Sequence, residues 1–298
     1  MAERGVRIGI NPLTWTNDDL PELGEQNSLE QCLAEARLAG YDGVELGRKF
    51  PRDAAVLGPL LRKHELQLVS GWYSARLLER SADEEIAAMA PHLHLLRKLN
   101  SKVMVFAEVS RCVHGDRSIA LSCRPCLNDA DWRRLCEGLD AVGAYLAGQG
   151  IALAYHHHMG TVIQSEIDID RMMAATAQAV GLLLDTGHLA FAGGDSRRVA
   201  ERHAARIVHV HCKDVRQAKL AEAKQRDLSF LDAVLAGAFA VPGDGSIEFA
   251  PVLERLATRG YQGWLVVEAD QDPARAHPLT HARIGHAYLR PLATRFWK

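Results

Sequence analysis

The sequence predicts a single (β/α)8 barrel over residues 1–298, and three observations lead there. Short apolar runs alternate with longer amphipathic segments along the whole chain, making eight strand–helix units. Continuous apolar strands separated by helices imply a parallel sheet covered by helices. The length of 298 residues suits one such barrel, a fold that commonly runs about 250. No G-x-G-x-x-G follows the first apolar run, which removes the main support for an open dinucleotide-binding sheet.

The elements follow in order. "RIGIN" (7–11) reads as the first strand, and "SLEQCLAEARLAG" (28–40) as a helix opened by a capping serine and closed by glycine. "DGVELG" (42–47), a helix near 52–64 and "LQLVSGW" (66–72) come next. A helix near 83–99 precedes "KVMVFAE" (102–108), and a helix over 130–149 precedes "IALAYHH" (151–157). A helix near 168–179 leads to "GLLLDTGH" (181–188), and one near 196–204 to "RIVHVHCKD" (206–214). "APVLERLATRG" (250–260), "GWLVVEAD" (263–270) and a helix over 279–294 complete the chain. The long connections are 109–129 and 212–246, and long loops in a compact domain are often functional.

Composition narrows the function classes. Hydrophobic residues make up 48% and charged residues 24%, as in a globular protein with a substantial core. The net charge of −2 gives no support to nucleic acid or an anionic membrane as a partner. No stretch approaches the roughly 18 apolar residues of a membrane span, and the N-terminus does not read as a signal peptide. A cytoplasmic location is therefore expected, and association into a homo-oligomer is compatible with it. The pair Cys123 and Cys126 lacks the second pair that tetrahedral zinc would want, and reads as incidental.

Catalytic groups of such barrels sit at the C-terminal ends of the strands. Those ends carry Glu45, Glu108, His156, Asp185, His211 and Glu268. His156, Asp185, His211 and Glu268 lie on consecutive strands, five to eight, so they could reach one ion. Alternation permits all four to point inward: His156 shares a face with Ala154, His211 with Ile207 and His209, and Glu268 with Val266. Carboxylates mixed with imidazoles suit Mn²⁺, Co²⁺, Mg²⁺ or Fe²⁺ rather than structural zinc. The same pattern would also permit buried structural residues. His209 reads as a hydrogen-bonded core group, Asp185 alone could cap a turn, and Glu45 either binds substrate or pairs with a cation. Trp72 and Tyr73 could wall a pocket or belong to the core. The "PGDGS" stretch lacks the Lys-Ser/Thr ending of a P-loop and reads as a turn.

"GYDGVELG", "LLLDTGH", "HVHCKD", "VPGDGSIEF" and "GWLVVEAD" together resemble the xylose-isomerase-like superfamily of sugar isomerases and epimerases. Within it, "GINPLTWTNDDLPELG", "LVSGWYSARLLER", "LAYHHHMGT" and "HVHCKDVR" resemble the inosose dehydratase family of inositol catabolism. The resemblance implies one divalent cation, Mn²⁺ or Co²⁺, and a small polyol ketone as partner. It implies dehydration of 2-keto-myo-inositol (scyllo-inosose) to 3D-(3,5/4)-trihydroxycyclohexane-1,2-dione. Asp185, His211 and Glu268 match superfamily ligands, and His156 stands where the fifth-strand glutamate is expected. His188 resembles a substrate-contacting histidine. The resemblance further implies Glu268 or His188 as base, and a histidine of 156–158 or Lys213 as acid. His158 shares a face with His156. His157 joins the substrate rim, although a regular strand points it the other way. Keto-sugar epimerases, 3-dehydroshikimate dehydratases and metal-dependent endonucleases of the same barrel are the alternatives.

Overall fold

The computed structural model describes residues 5–297. Eight parallel strands, Val6–Ile10, Gly43–Leu46, Gln67–Ala75, Val103–Glu108, Ala152–His156, Val180–Asp185, Ile207–Cys212 and Gly263–Val267, close into a barrel. Closure is made by the first strand pairing with the last, Val6 against Gly263 through Ile10 against Val267.

Helices cover the barrel, and their starts follow local chemistry. Ser28 accepts a hydrogen bond from the Gln31 amide at the head of Leu29–Leu38. Ser81 and Glu84 form a capping box for Ala82–Lys98, as Ser165 and Asp168 do for Glu166–Ala175. The last strand is followed by Pro278–Phe296. No helix among the described residues is long and apolar enough to cross a membrane.

Several boundaries differ from those expected, each for a physical reason. The third strand runs on to Ala75 because Trp72 to Ala75 pair with Val105 to Glu108. The sixth stops at Asp185, whose side chain caps the short helix Thr186–Phe191. The helix expected near 168–179 begins at Glu166 because Ser165 caps it, and Thr176 is already extended. The 212–246 connection folds into a two-stranded antiparallel sheet, Asp214–Val215 with Phe239–Ala240, with helices Gln217–Gln225 and Phe230–Leu235 between its strands. "PGDGS" is a turn, held because Asp214 accepts from the Gly243 and Ile247 amides. Cys123 and Cys126 are exposed free thiols.

Two small apolar clusters fill the barrel interior. One gathers Val103, Val105, Ala154 and Leu183, and the other Val69, Trp264 and Val266. In the seventh strand regular alternation fails. The register slips between Leu182 and Leu183, opposite Ile207 and His209. Ile207 packs into the shell under the helices, while Val208 packs against the interior cluster. The expectation that Ile207 shares the inner face with His211 is thereby corrected: the slip turns Val208 inward as well.

Candidate active site

At the C-terminal ends of strands five to eight the interior becomes polar. His156, Asp185, His211 and Glu268 are all buried, with one donor atom from each lying within 4.8 Å of the others. Asp185 divides its oxygens: Oδ1 accepts from the His188 amide at 2.7 Å, and Oδ2 has no hydrogen-bond partner. That Oδ2 lies 3.5 Å from His156 Nε2 and 3.6 Å from His211 Nδ1. His211 Nδ1 is 2.9 Å from Glu268 Oε2, yet is not aligned with it as a hydrogen bond. Donors about 2.1 Å from a shared ion and at right angles to one another lie about 3 Å apart, so this clustering without hydrogen bonding fits convergence on one cation.

A second layer orients the first. Glu45 accepts from His209 Nε2 at 2.9 Å and also faces His211 Nε2 at 3.2 Å. With its Nε2 so engaged, His211 presents Nδ1 to the centre. Asn11 Nδ2 bridges Glu45 Oε2 at 2.7 Å and Glu268 Oε2 at 2.8 Å. Glu45 thus braces His211 and also lines the cavity beside it, and His209 is the hydrogen-bonded core group expected of it.

Lys213 is fully buried behind this layer. Its Nζ lies 2.7 Å from Glu268 Oε1, 2.7 Å from Asp270 Oδ2 and 3.8 Å from Asp185 Oδ2. It also donates to His188 Nε2 at 2.9 Å. Pairing of Lys213 with its neighbour Asp214 does not occur, because Asp214 is spent on the 243–247 turn. Gly187 makes room for the lysine, since a Cβ there would meet Lys213 Cγ at 2.5 Å.

Electrostatics favour a further positive charge at the centre. Burial pulls the Lys213 ammonium down, but Asp270, Glu268 and Asp185 outweigh it and hold the pKa above its usual value. Burial pushes Glu268 up, but His211 and Lys213 hold it at about 2. Asp185 is likewise pushed up by burial and held well below the usual range by Lys213 and His188. Burial lowers His211, yet Glu268 and Glu45 raise it well above an ordinary imidazole. Four buried carboxylates, Glu45, Asp185, Glu268 and Asp270, thus share the centre with the Lys213 ammonium and the raised His211 imidazole. A divalent cation would restore balance.

Beside the donors lies a cavity of about 140 Å³. Its size is roughly that of a cavity that takes one six-membered ring. His156, His211 and Glu268 line it, with Trp72, His158 and Asp270. The Trp72 ring stands edge-on to His156 at 5.3 Å and to His158 at 5.7 Å. His158 Nδ1 donates to the Met159 carbonyl at 2.8 Å, which leaves Nε2 as the free acceptor.

Four residues expected at the substrate are placed elsewhere. His157 points away, as strand alternation demands, and its Nε2 accepts from the Asp185 amide at 3.2 Å. Tyr73 alternates out of the barrel, where its hydroxyl donates to Glu85 and its ring packs on Phe106. His188 is buried behind His158, ring centroids 3.9 Å apart, with its Nε2 taken by Lys213. Lys213 itself reaches the cavity only through Glu268 and Asp270. Glu108 accepts from the Leu77 and Ser110 amides and serves its own loop.

Sequence reasoning missed Asn11, Asp18, Asp19, His114 and Asp270 among the lining residues. Asp270 had a signal, standing two residues beyond Glu268, and Asn11 closes the first strand. The others lie on loops, where no periodicity reports direction.

A family model described as "Xylose isomerase-like TIM barrel" matches residues 33–292. The rhizopine catabolism protein MocC of Rhizobium meliloti is 51% identical, covering 97% of this chain and 89% of that one. Inosose dehydratase of Glaesserella parasuis is 43% identical, covering 98% and 99%. Inosose dehydratase of Clostridium tetani is also 43% identical, over 97% of each chain. Among solved structures, the IOLI protein with a binding zinc atom superposes with TM-score 0.71 at 14% identity, covering 98% of this chain and all of that one (100%). L-ribulose 3-epimerase gives 0.68 at 16%, over 97% of each chain. The chain belongs to the xylose isomerase-like TIM barrel family, in the group that contains the inosose dehydratases.

Proposed function

We propose that the chain is an inosose dehydratase that requires a divalent cation, Mn²⁺ or Co²⁺, and converts 2-keto-myo-inositol to 3D-(3,5/4)-trihydroxycyclohexane-1,2-dione. The observation that carries the reading is the set of four buried donors whose unpartnered atoms, Asp185 Oδ2 and His211 Nδ1, converge beside a ring-sized cavity. The names of the inosose dehydratases at 43% identity support the same chemistry.

His156, Asp185, His211 and Glu268 would hold the ion. When bound, it supplies Lewis acidity to the substrate's ketone oxygen and makes the adjacent C–H acidic. His158 takes that proton at Nε2. Burial, with His114 and His156 beside it, keeps its pKa well below an ordinary imidazole, so it is neutral and ready to accept. As the C–H electrons form the new double bond, the C–O bond on the next carbon breaks. The departing hydroxyl takes a proton from Asp270 and leaves as water. Burial pushes the Asp270 carboxyl up to about 6 against the opposing charge of Lys213, so it can carry that proton, and it regains one from solvent as His158 gives its own up. The resulting enol becomes the second ketone of the dione. Trp72 walls the ring, and His188 backs His158 from outside the cavity.

The test is turnover. Metal-stripped protein incubated with scyllo-inosose should form the dione, followed by ultraviolet absorbance, only after Mn²⁺ or Co²⁺ is added. Folded protein that yields no dione with either ion would overturn the reading. A second substrate also has an observation behind it, because the relative at 51% identity is named for rhizopine catabolism. A rhizopine-derived ketone offered beside the inosose separates the two.

A further inference from the structure

We propose that Ser74, on the third strand, is a substrate-binding residue whose hydroxyl hydrogen-bonds one ring hydroxyl and so helps set which polyol ketone is accepted. The assignment rests on the dehydratase reading of the neighbouring centre. Strand parity aims the side chain. Tyr73 points out of the barrel to Glu85, so Trp72 and Ser74 on either side of it point in, and both line the cavity. Ser74 is exposed rather than enclosed, so a ligand in the cavity can reach it. Its Oγ accepts from the Trp72 indole N–H at 2.8 Å. A serine hydroxyl carries one donor hydrogen and two acceptor lone pairs. The indole takes one lone pair, and the hydrogen has no acceptor among the described residues. Strands three and four also give this wall Val105, which is apolar, and the Trp72 N–H is already spent. The Ser74 hydroxyl is therefore the hydrogen-bonding group that this side can offer a ring bearing several hydroxyls.

The strand holds this hydroxyl in one place. Trp72 to Ala75 pair in register with Val105 to Glu108, so Ser74 rides on the sheet and not on a loop. Outside the barrel the buried Glu85 accepts from the Tyr73 hydroxyl and, at 2.8 Å, from the Arg76 amide. One carboxylate thus grips the chain on both sides of Ser74. Inside, the Trp72 ring stands edge-on to His156 and to His158, the proposed base, and its N–H fixes one Ser74 lone pair. The hydroxyl therefore offers the cavity a placed partner, unlike a flexible rim side chain. Such a partner favours a ketone whose hydroxyl meets it over one that lacks that hydroxyl, because the bond is then lost.

The test compares S74A and S74T with the parent enzyme on the full polyol ketone and on ketones lacking one ring hydroxyl at a time. S74A should raise KM for the full ketone about tenfold, the size of one lost hydrogen bond. S74T keeps the hydroxyl and should recover most of the loss. With one deoxy ketone alone, parent and S74A should share the same KM, whereas a serine that only steadied Trp72 would cost the same with every ketone. Mn²⁺ affinity, read by paramagnetic resonance without substrate, should be the same in all three proteins. Equal KM for parent and S74A on the full ketone overturns the assignment, as does an equal loss with every deoxy ketone. If the parent turns over no inosose, the dehydratase reading fails instead. Calorimetric binding of the same ketones to parent and S74A then tests the Ser74 contact by itself. Weaker binding of the full ketone by S74A, with one deoxy ketone bound equally, upholds the contact, and equal affinities or no binding by the parent overturn it.

Discussion

Each oxygen of Glu268 has its own neighbours: Oε1 faces Lys213 at 2.7 Å, and Oε2 faces His211 at 2.9 Å and Asn11 at 2.8 Å. Glu268→Gln swaps one oxygen for an amide that would point donor hydrogens at Lys213 or at His211 and Asn11. It also leaves Lys213 with less opposing charge. Metal affinity should fall at least about 100-fold, beyond the usual cost of losing an outer partner. Dione formation should fall about 10²–10⁴-fold, and saturating Mn²⁺ should restore only part of it. Full activity in Glu268→Gln would place the ion elsewhere. The histidine run divides by parity at the same scale. His156 and His158 face the cavity, while His157 receives the Asp185 amide and so steadies that residue's backbone from outside the barrel.

Among elements, the helices Glu166–Ala175 and Ser196–His203 are clasped by one carboxylate. Glu166 accepts from Arg198 at 3.0 Å and from Arg202 at 2.6 Å. The Arg198 hydrogen bond, working against burial and helped by Arg202, lowers its pKa from 4.5 to about 2. A depressed carboxylate contributes stability above its unfolded pKa and loses it as pH falls through the folded value. Glu166→Gln should therefore lower the melting temperature by about 2–3 °C at neutral pH. That gap should shrink as the pH falls from 4.5 toward 2, as thermal melts across the range would show. A gap independent of pH would assign the loss to packing. The elements were largely legible in the sequence, because apolar runs, capping serines and closing glycines are local signals. Two things were not. The inward turn of Val208 depends on a register slip against the preceding strand, which the alternation within its own strand does not report. The Asp185 cap that ends the sixth strand spends a residue that periodicity alone would continue.

For the whole molecule, the centre's charges tie stability to the ion. A cation at 100 times its dissociation constant stabilises a protein by about 2.7 kcal/mol, or roughly 4 °C in a chain this size. Chelation should lower the melting temperature by about that much. The difference should narrow in acid, because His156 and His211 must be free of protons to ligate. Differential scanning with and without chelator reads both, and melting points that ignore chelation would deny the centre its ion. At this scale the sequence placed the four strand-end donors together, since strand ends in a barrel point to one mouth. It hid the opposite side, because where the 109–129 loop returns depends on its anchors at Gly160, Leu228 and Asp232. The four clustered donors are thus carried by strands bonded to one another, and much of the cavity wall is carried by connections. The two can be re-engineered separately. Transplanting the 109–129 segment from a relative with another preference should redirect the barrel to a new ketone while the coordination chemistry beneath stays unaltered.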